Sequence, residues 1–92
     1  MYKVILSRQY TKSLKRWVRN KHFSEAKLQA VVRILERGDV LPPANRDHQL
    51  KGNFKEYREC HVQNDVLLIY QKIDDVLILL LVNIGSHTEL FD

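Results

Sequence analysis

The chain has 92 residues, 45% hydrophobic and 28% charged, with one cysteine and a formal net charge of +4. That length supports a single domain, residues 1–92, burying roughly 60–65% of its extended surface, and the composition is too apolar for disorder. A lone cysteine excludes an internal disulfide and points to a reducing, cytoplasmic setting; the first residues hold no signal-peptide core, and the longest apolar run, Val76 to Val82, is too short to span a membrane as a helix.

Tyr2 to Leu6 is a β-branched and aromatic run that predicts a first strand. Ser7 fits a helix N-cap, and Tyr10, Leu14, Trp17 and Val18 follow at helical spacing. Arg8, Lys12, Lys15, Arg16 and Arg19 take the opposite face, which makes this helix basic and amphipathic. Ser24 caps a second helix, Leu28, Val31, Val32 and Leu35 form its apolar stripe, and Gly38 ends it. The two helices read as an antiparallel hairpin joined through Asn20 to Phe23. Leu41-Pro42-Pro43 cannot continue a helix, and Pro42 to Gly52 reads as an irregular loop.

From Phe54 the pattern changes to strand. Phe54 to Val62, a turn at Gln63-Asn64, Val66 to Ile73, a turn at Asp74-Asp75, and Val76 to Val82 form an antiparallel meander. The last run is apolar on both faces and belongs inside the sheet. Asn83 to Gly85 is expected to break it, leaving Ser86 to Phe91 as a short tail. The fold class is α+β: an N-terminal strand, a two-helix hairpin, then the meander, with the helices packed on one face.

Charge divides along the chain. Residues 1–37 carry ten basic side chains against Glu25 and Glu36, a net of +8, whereas residues 38–92 carry five basic and nine acidic groups, a net of −4. A basic half suggests a polyanionic partner, nucleic acid first and a membrane surface second, against the plainer reading of a lysine-rich solvated surface.

Three of the four histidines fall in the second half, each at the end of an element beside polar residues: Asp47-His48, then His61 with Asp65 across one turn, then His87 after Gly85-Ser86. Imidazole ordinarily titrates at about 6.5, so it can give or take a proton near neutrality. RNA cleavage without a metal needs a base for the ribose 2′-OH, an acid for the leaving 5′ oxygen and a donor for the phosphate. Histidines and an aspartate supply the first two, and the basic helix could supply sequence-independent backbone attraction. A zinc site is the competing use of these residues, but no pair has compact metal-ligand spacing, and Cys60 should face away from His61. No metal or other cofactor is expected. His22 reads as exposed and structural, Cys60 as buried, and Phe54, Tyr57, Tyr70 and Trp17 as core or sheet-face residues. For Phe91, packing and base stacking are both open.

Three segments resemble one family. Asp47-His48-Gln49-Leu50-Lys51-Gly52, Tyr57-Arg58-Glu59-Cys60-His61 with Asp65 and Leu68-Ile69-Tyr70, and Gly85-Ser86-His87-Thr88-Glu89-Leu90-Phe91 are similar to the RelE-like bacterial toxins of the YafQ type. The first half agrees in element order and basic character only. The resemblance implies the toxin of a type II toxin–antitoxin pair, which cuts messenger RNA in the ribosomal A site without metal and is blocked by a cognate antitoxin. It places the catalytic set on His48, His61, Asp65, His87 and Phe91. We assign His87 as general acid and His48 or His61, with Asp65, to the base side. Arg8, Lys12, Lys15, Arg16, Arg19, Lys51 and Arg58 are the expected RNA-binding residues.

Two positions depart from the family pattern. Asn83 stands where such toxins commonly carry an arginine that neutralises phosphate charge, and Val66 where they often have a tryptophan. Losing one stabilising donor can cost ~10²–10³ in rate. An alternative is therefore a non-catalytic binding protein on the same fold, either gyrase-inhibitor-like or a degenerate toxin that still binds an antitoxin. A stand-alone RNA-binding module using the basic helix would leave the histidines unexplained.

Overall fold

The structure is a computed structural model, and it describes residues 1–91. Its elements are β1 (Lys3–Leu6), α1 (Arg8–Trp17), α2 (Glu25–Glu36), β2 (His48–Gln49), β3 (Arg58–Gln63), β4 (Val66–Ile73), β5 (Ile78–Gly85) and α3 (His87–Phe91), with 3₁₀ turns at Pro43–Asn45, Gly52–Phe54 and Asp74–Val76. The five strands form one sheet in the order β1-β5-β4-β3-β2. β2 to β5 are antiparallel, and β1 runs parallel to β5. The sheet is thus mixed, and β5 lies inside it, as its two apolar faces require.

The two long helices start where serine can satisfy their free N–H groups. Ser7 Oγ accepts from Tyr10 N–H at 2.9 Å and Ser24 Oγ from Lys27 N–H at 3.1 Å. α2 ends in a Schellman turn: Gly38 N–H donates to Leu35 O and Asp39 N–H to Ile34 O, with Gly38 at φ +80°. Tyr10 from α1 and Leu28, Val31 and Leu35 from α2 pack on Cys60, Val62, Leu68, Tyr70, Leu79, Leu81 and Ile84 of the sheet. Both helices therefore cover one face. Val18, expected on the apolar face of α1, is its exposed C-terminal cap, and Ser13 is buried in its place.

Four expectations change. β3 begins at Arg58, because Gly52 at φ +66° opens a 3₁₀ turn that leaves Phe54 exposed. Within the expected loop, His48 and Gln49 add a short edge strand to β3. β5 runs through Asn83 to Gly85 because a bulge absorbs the mismatch: Ile69 pairs with Asn83 but Tyr70 with Leu81, so Val82 is the extra residue. Asn83 is tolerated there because its Oδ1 accepts from Ser13 Oγ and from Ile84 N–H, both at 2.8 Å. Finally, the expected tail is α3. Ser86 Oγ accepts from Glu89 N–H at 3.2 Å, and Glu89 Oε1 accepts from Ser86 N–H at 2.9 Å, a reciprocal capping box.

Candidate active site

The sheet face away from α1 and α2 gathers the histidines. Strand alternation sends Cys60 and Val62 into the helix-side core and turns Glu59 and His61 to the other side. β2 pairs His48 directly with Glu59. The result is two imidazoles around one carboxylate: His48 Nε2 lies 3.9 Å and His61 Nε2 3.8 Å from Glu59 Oε1. Glu59 is 7% exposed, which is rare for a carboxylate without a paired group. His48 is also held from its other nitrogen. Its Nδ1 stands 2.7 Å from the carbonyl oxygen of Arg46. A carbonyl only accepts, so Nδ1 carries a proton and Nε2 is the nitrogen that can take one.

A second group forms around α3. Asp65 occupies the β3–β4 turn at φ +54°, a conformation that aspartate tolerates better than most residues. Its Oδ1 accepts from His87 N–H at 3.3 Å, which ties the start of α3 to that turn. The Phe91 ring lies 5.2 Å from the His87 ring, centroid to centroid, and stays 39% exposed. Glu89, besides capping α3, accepts from Arg16 Nη2 at 2.9 Å. Its pKa is lowered, first by the Ser86 N–H, against slight burial, and then by Arg16.

Leu67 is the floor between the two groups. It pairs with His61 on β3 and with Gly85 on β5, is 1% exposed, and stands apart from the helix-side core. Two strand spacings put His61 and the root of α3 about 10 Å apart, a distance that a phosphodiester and its flanking sugars can bridge. On the α2 side, an open groove of about 840 Å³ is lined by Lys27, Val31 and Ile34 of α2 and also by Arg46, His61 and Asp65.

The sequence-expected site residues thus fall into two neighbouring sets, His48 with His61 and Asp65 with His87 and Phe91. Glu59 was missed. The signal for it was the two-residue spacing to His61, which on a strand means one face. Cys60 faces the helices, and burial pushes its thiol pKa up. Arg8, Lys12, Lys15, Arg16, Arg19 and Lys51 are exposed. Arg58 differs: it is half-buried on the helix side, with its guanidinium on Asp47 and Tyr70. Asn83 is turned to Ser13 on α1. Among the described residues, no three histidine, cysteine, aspartate or glutamate side chains are grouped to hold a metal ion, and no helix is long and apolar enough to cross a membrane.

Comparison with known proteins gives one consistent result. The family model for the bacterial toxin of type II toxin–antitoxin systems, YafQ, matches residues 2–92. The mRNA interferase toxin YafQ of Escherichia coli K12 is 35% identical over 86 residues, spanning 92% of this chain and 90% of the relative. A metal-bound toxin from Helicobacter pylori superposes with a TM-score of 0.91 at 42% identity, over 99% of this chain and all of that one. The E. coli DinJ–YafQ complex contains a chain that superposes with a TM-score of 0.86 at 30% identity, over the full length of both. The sequence match over nearly the whole chain and the shared fold agree, and the chain belongs to the YafQ family of type II toxin–antitoxin toxins.

Proposed function

We propose that this toxin is a ribosome-dependent endoribonuclease that cuts messenger RNA in the cytoplasm by metal-independent acid–base chemistry. The observation that carries the reading is the placement of two proton-transfer groups on either side of Leu67, with His48 and His61 around Glu59 on one side and His87 on the other. A ribose 2′-OH beside the first group loses its proton to imidazole, and the 2′ oxygen attacks phosphorus. The 5′ oxygen leaves and takes a proton from His87. His48 Nε2 suits the base role, because the Arg46 carbonyl already holds its Nδ1 proton. Glu59, within 4 Å of both imidazoles, orients them. Asp65 anchors the first residue of α3, and Phe91 stacks a base beside His87. The homologous mRNA interferase and the DinJ–YafQ complex support the activity and a cognate antitoxin as partner. An acidic antitoxin segment would meet the exposed cations of α1.

The test expresses wild type and His87→Ala in a bacterial host and maps new 5′ ends on translated and untranslated copies of one transcript. Cuts in the translated copy only, absent in the variant, are expected, with a loss of ~10²-fold or more. A His87→Ala protein of normal stability that still cuts would overturn the reading. Absence of cuts with folded wild type would leave a binding protein on a toxin fold, the reading that Asn83 favours.

A further inference from the structure

Behind the sheet, on the side away from the histidines, lies a second polar cluster that the acid–base set does not use. Asp47 precedes His48 and Arg58 precedes Glu59, so each points to the opposite face from its neighbour. There the Asp47 carboxylate accepts from Tyr70 O–H at 2.5 Å and from Arg58 Nη2 at 3.2 Å, with Arg58 Nε 3.4 Å from it. Arg58 Nε also lies 3.3 Å from the Tyr70 hydroxyl, which closes the triangle. Tyr70 is fully buried on β4, in the middle of the sheet.

We propose that Asp47, Arg58 and Tyr70 form a positioning network that fixes the His48 imidazole from behind the sheet. The inference rests on the reading of His48 as a site residue. β2 has only two residues, both exposed, and it lies at the edge of the sheet. Two register pairs with β3 are weak restraint for a side chain that must meet a substrate atom. Just before it, Arg46 sits at φ +48°, and its carbonyl sets the tautomer of His48. Asp47 lies between these two features and ties that loop to β3 and β4 together. The ties are strong because both donors stay charged or protonated. Burial and then the Asp47 hydrogen bond drive the Tyr70 pKa up, so its hydroxyl keeps its proton and donates. Arg58 is held as a cation by Asp47 and Tyr70 against its partial burial. A bidentate guanidinium fixes geometry that an ammonium would not. A misplacement of about 1 Å at a reacting group can cost ~10²-fold, so removing one tie should be visible in the rate.

The experiment is a double-mutant cycle on single-turnover cleavage of ribosome-bound messenger RNA, at a temperature well below melting. Tyr70→Phe keeps the ring in the core and removes only the hydroxyl. It should lower the maximal rate about tenfold with the ribosome concentration at half-maximal rate unchanged. On a His48→Ala background the same change should have no further effect. A second readout needs no activity: ¹⁵N spectra of His48 should show one Nδ1–H tautomer in wild type and a mixture in Tyr70→Phe. Asp47→Asn should behave likewise and replaces Tyr70→Phe if that variant does not fold. Equal losses on wild-type and His48→Ala backgrounds, or an unchanged rate and tautomer, would overturn the network. A His48→Ala protein with full rate would overturn the reading of His48 as a site residue, and the tautomer spectra would then decide alone whether the network holds the ring: an unchanged tautomer in Tyr70→Phe would overturn it.

Discussion

Glu59 and Asn83 show how much a side chain's role depends on where the strand turns it. Glu59 is buried between two imidazoles, and nothing in its local sequence except the spacing to His61 distinguishes it from the other acidic residues of this half. Asn83 stands where the family resemblance implies a cation for the phosphate, yet its amide oxygen is already committed to Ser13 Oγ and Ile84 N–H. Its place is structural: it satisfies a buried hydroxyl where the bulge in β5 meets α1, and Ser13 is only 2% exposed. Asn83→Ala should therefore cost about 1 kcal/mol of stability, the worth of one such hydrogen bond, read as a lower urea midpoint. Cleavage should stay within about threefold of wild type, against the ~10²–10³ lost when a true transition-state donor is removed. A rate loss of that larger size with an unchanged midpoint would return Asn83 to the site.

α3 is a five-residue helix that carries His87 and Phe91, and it exists because of its cap. A helix this short has almost no intrinsic stability, so the Ser86–Glu89 box and the Arg16 ion pair hold it. Gly85 makes room for that box. A Cβ added there would lie 2.9 Å from Glu89 Oε1 and 3.3 Å from Leu90 Cδ2. Gly85→Ala should push the Glu89 carboxylate off the Ser86 N–H, raise hydrogen exchange at Glu89 and Leu90, and lower cleavage at least several-fold with little change in global melting. The same interaction has a pH signature. Glu89 has its folded-state pKa lowered, chiefly by the Ser86 N–H, so its contribution is present above the ordinary glutamate value of 4.5 and is lost as pH falls through the lowered one. Protection of the α3 amides, corrected for the intrinsic slowing of exchange in acid, should fall on acidification in wild type and be already low, and flatter with pH, in Glu89→Ala. Much of this was legible in the sequence. Ser7, Ser24 and Gly38 announced the ends of α1 and α2, and the apolar run between the turns at Gln63-Asn64 and Asp74-Asp75 announced β4, Val66 to Ile73, to the residue. Ser86-His87-Thr88-Glu89 carried the capping-box signal too, but a tail of so few residues offers no periodicity to support it. The edge strand β2 and the bulge at Val82 had no local signal, since both arise from pairing with strands far along the chain. For the same reason the residue types of the site were readable, but their division into two groups across Leu67 was not.

At the scale of the molecule, charge and chemistry are separated and then joined at one point. The basic excess lies in the first 37 residues and the acid–base groups in the remainder. α1 packs on the helix side of the sheet, away from His48 and Glu59, and it reaches α3 through Arg16 and Glu89. Arg16 is therefore partly committed to holding the site together. Arg8, Lys12, Lys15 and Arg19 are exposed and have no carboxylate partner among the described residues, so they are the part of the helix left for a polyanion. Attraction of this kind acts on encounter and binding, and it is screened within about 10 Å at 0.1 M salt. It acts on encounter more than on the bond-breaking step, whose groups are His48 and His61 around Glu59, on the other face of the sheet, and His87 on α3. Lys12→Glu with Lys15→Glu should accordingly raise the ribosome concentration needed for half-maximal cleavage several-fold and leave the maximal rate unchanged. The dependence of binding on salt should become shallower by roughly 0.7 in logarithmic slope for each phosphate that is no longer neutralised. Arg16→Glu should differ in kind, lowering the maximal rate as well, because it sets a second carboxylate beside Glu89 and loosens α3. If the Lys12 and Lys15 changes lowered the maximal rate and left binding and its salt slope intact, α1 would belong to the catalytic machinery and the separation of charge from chemistry would not hold.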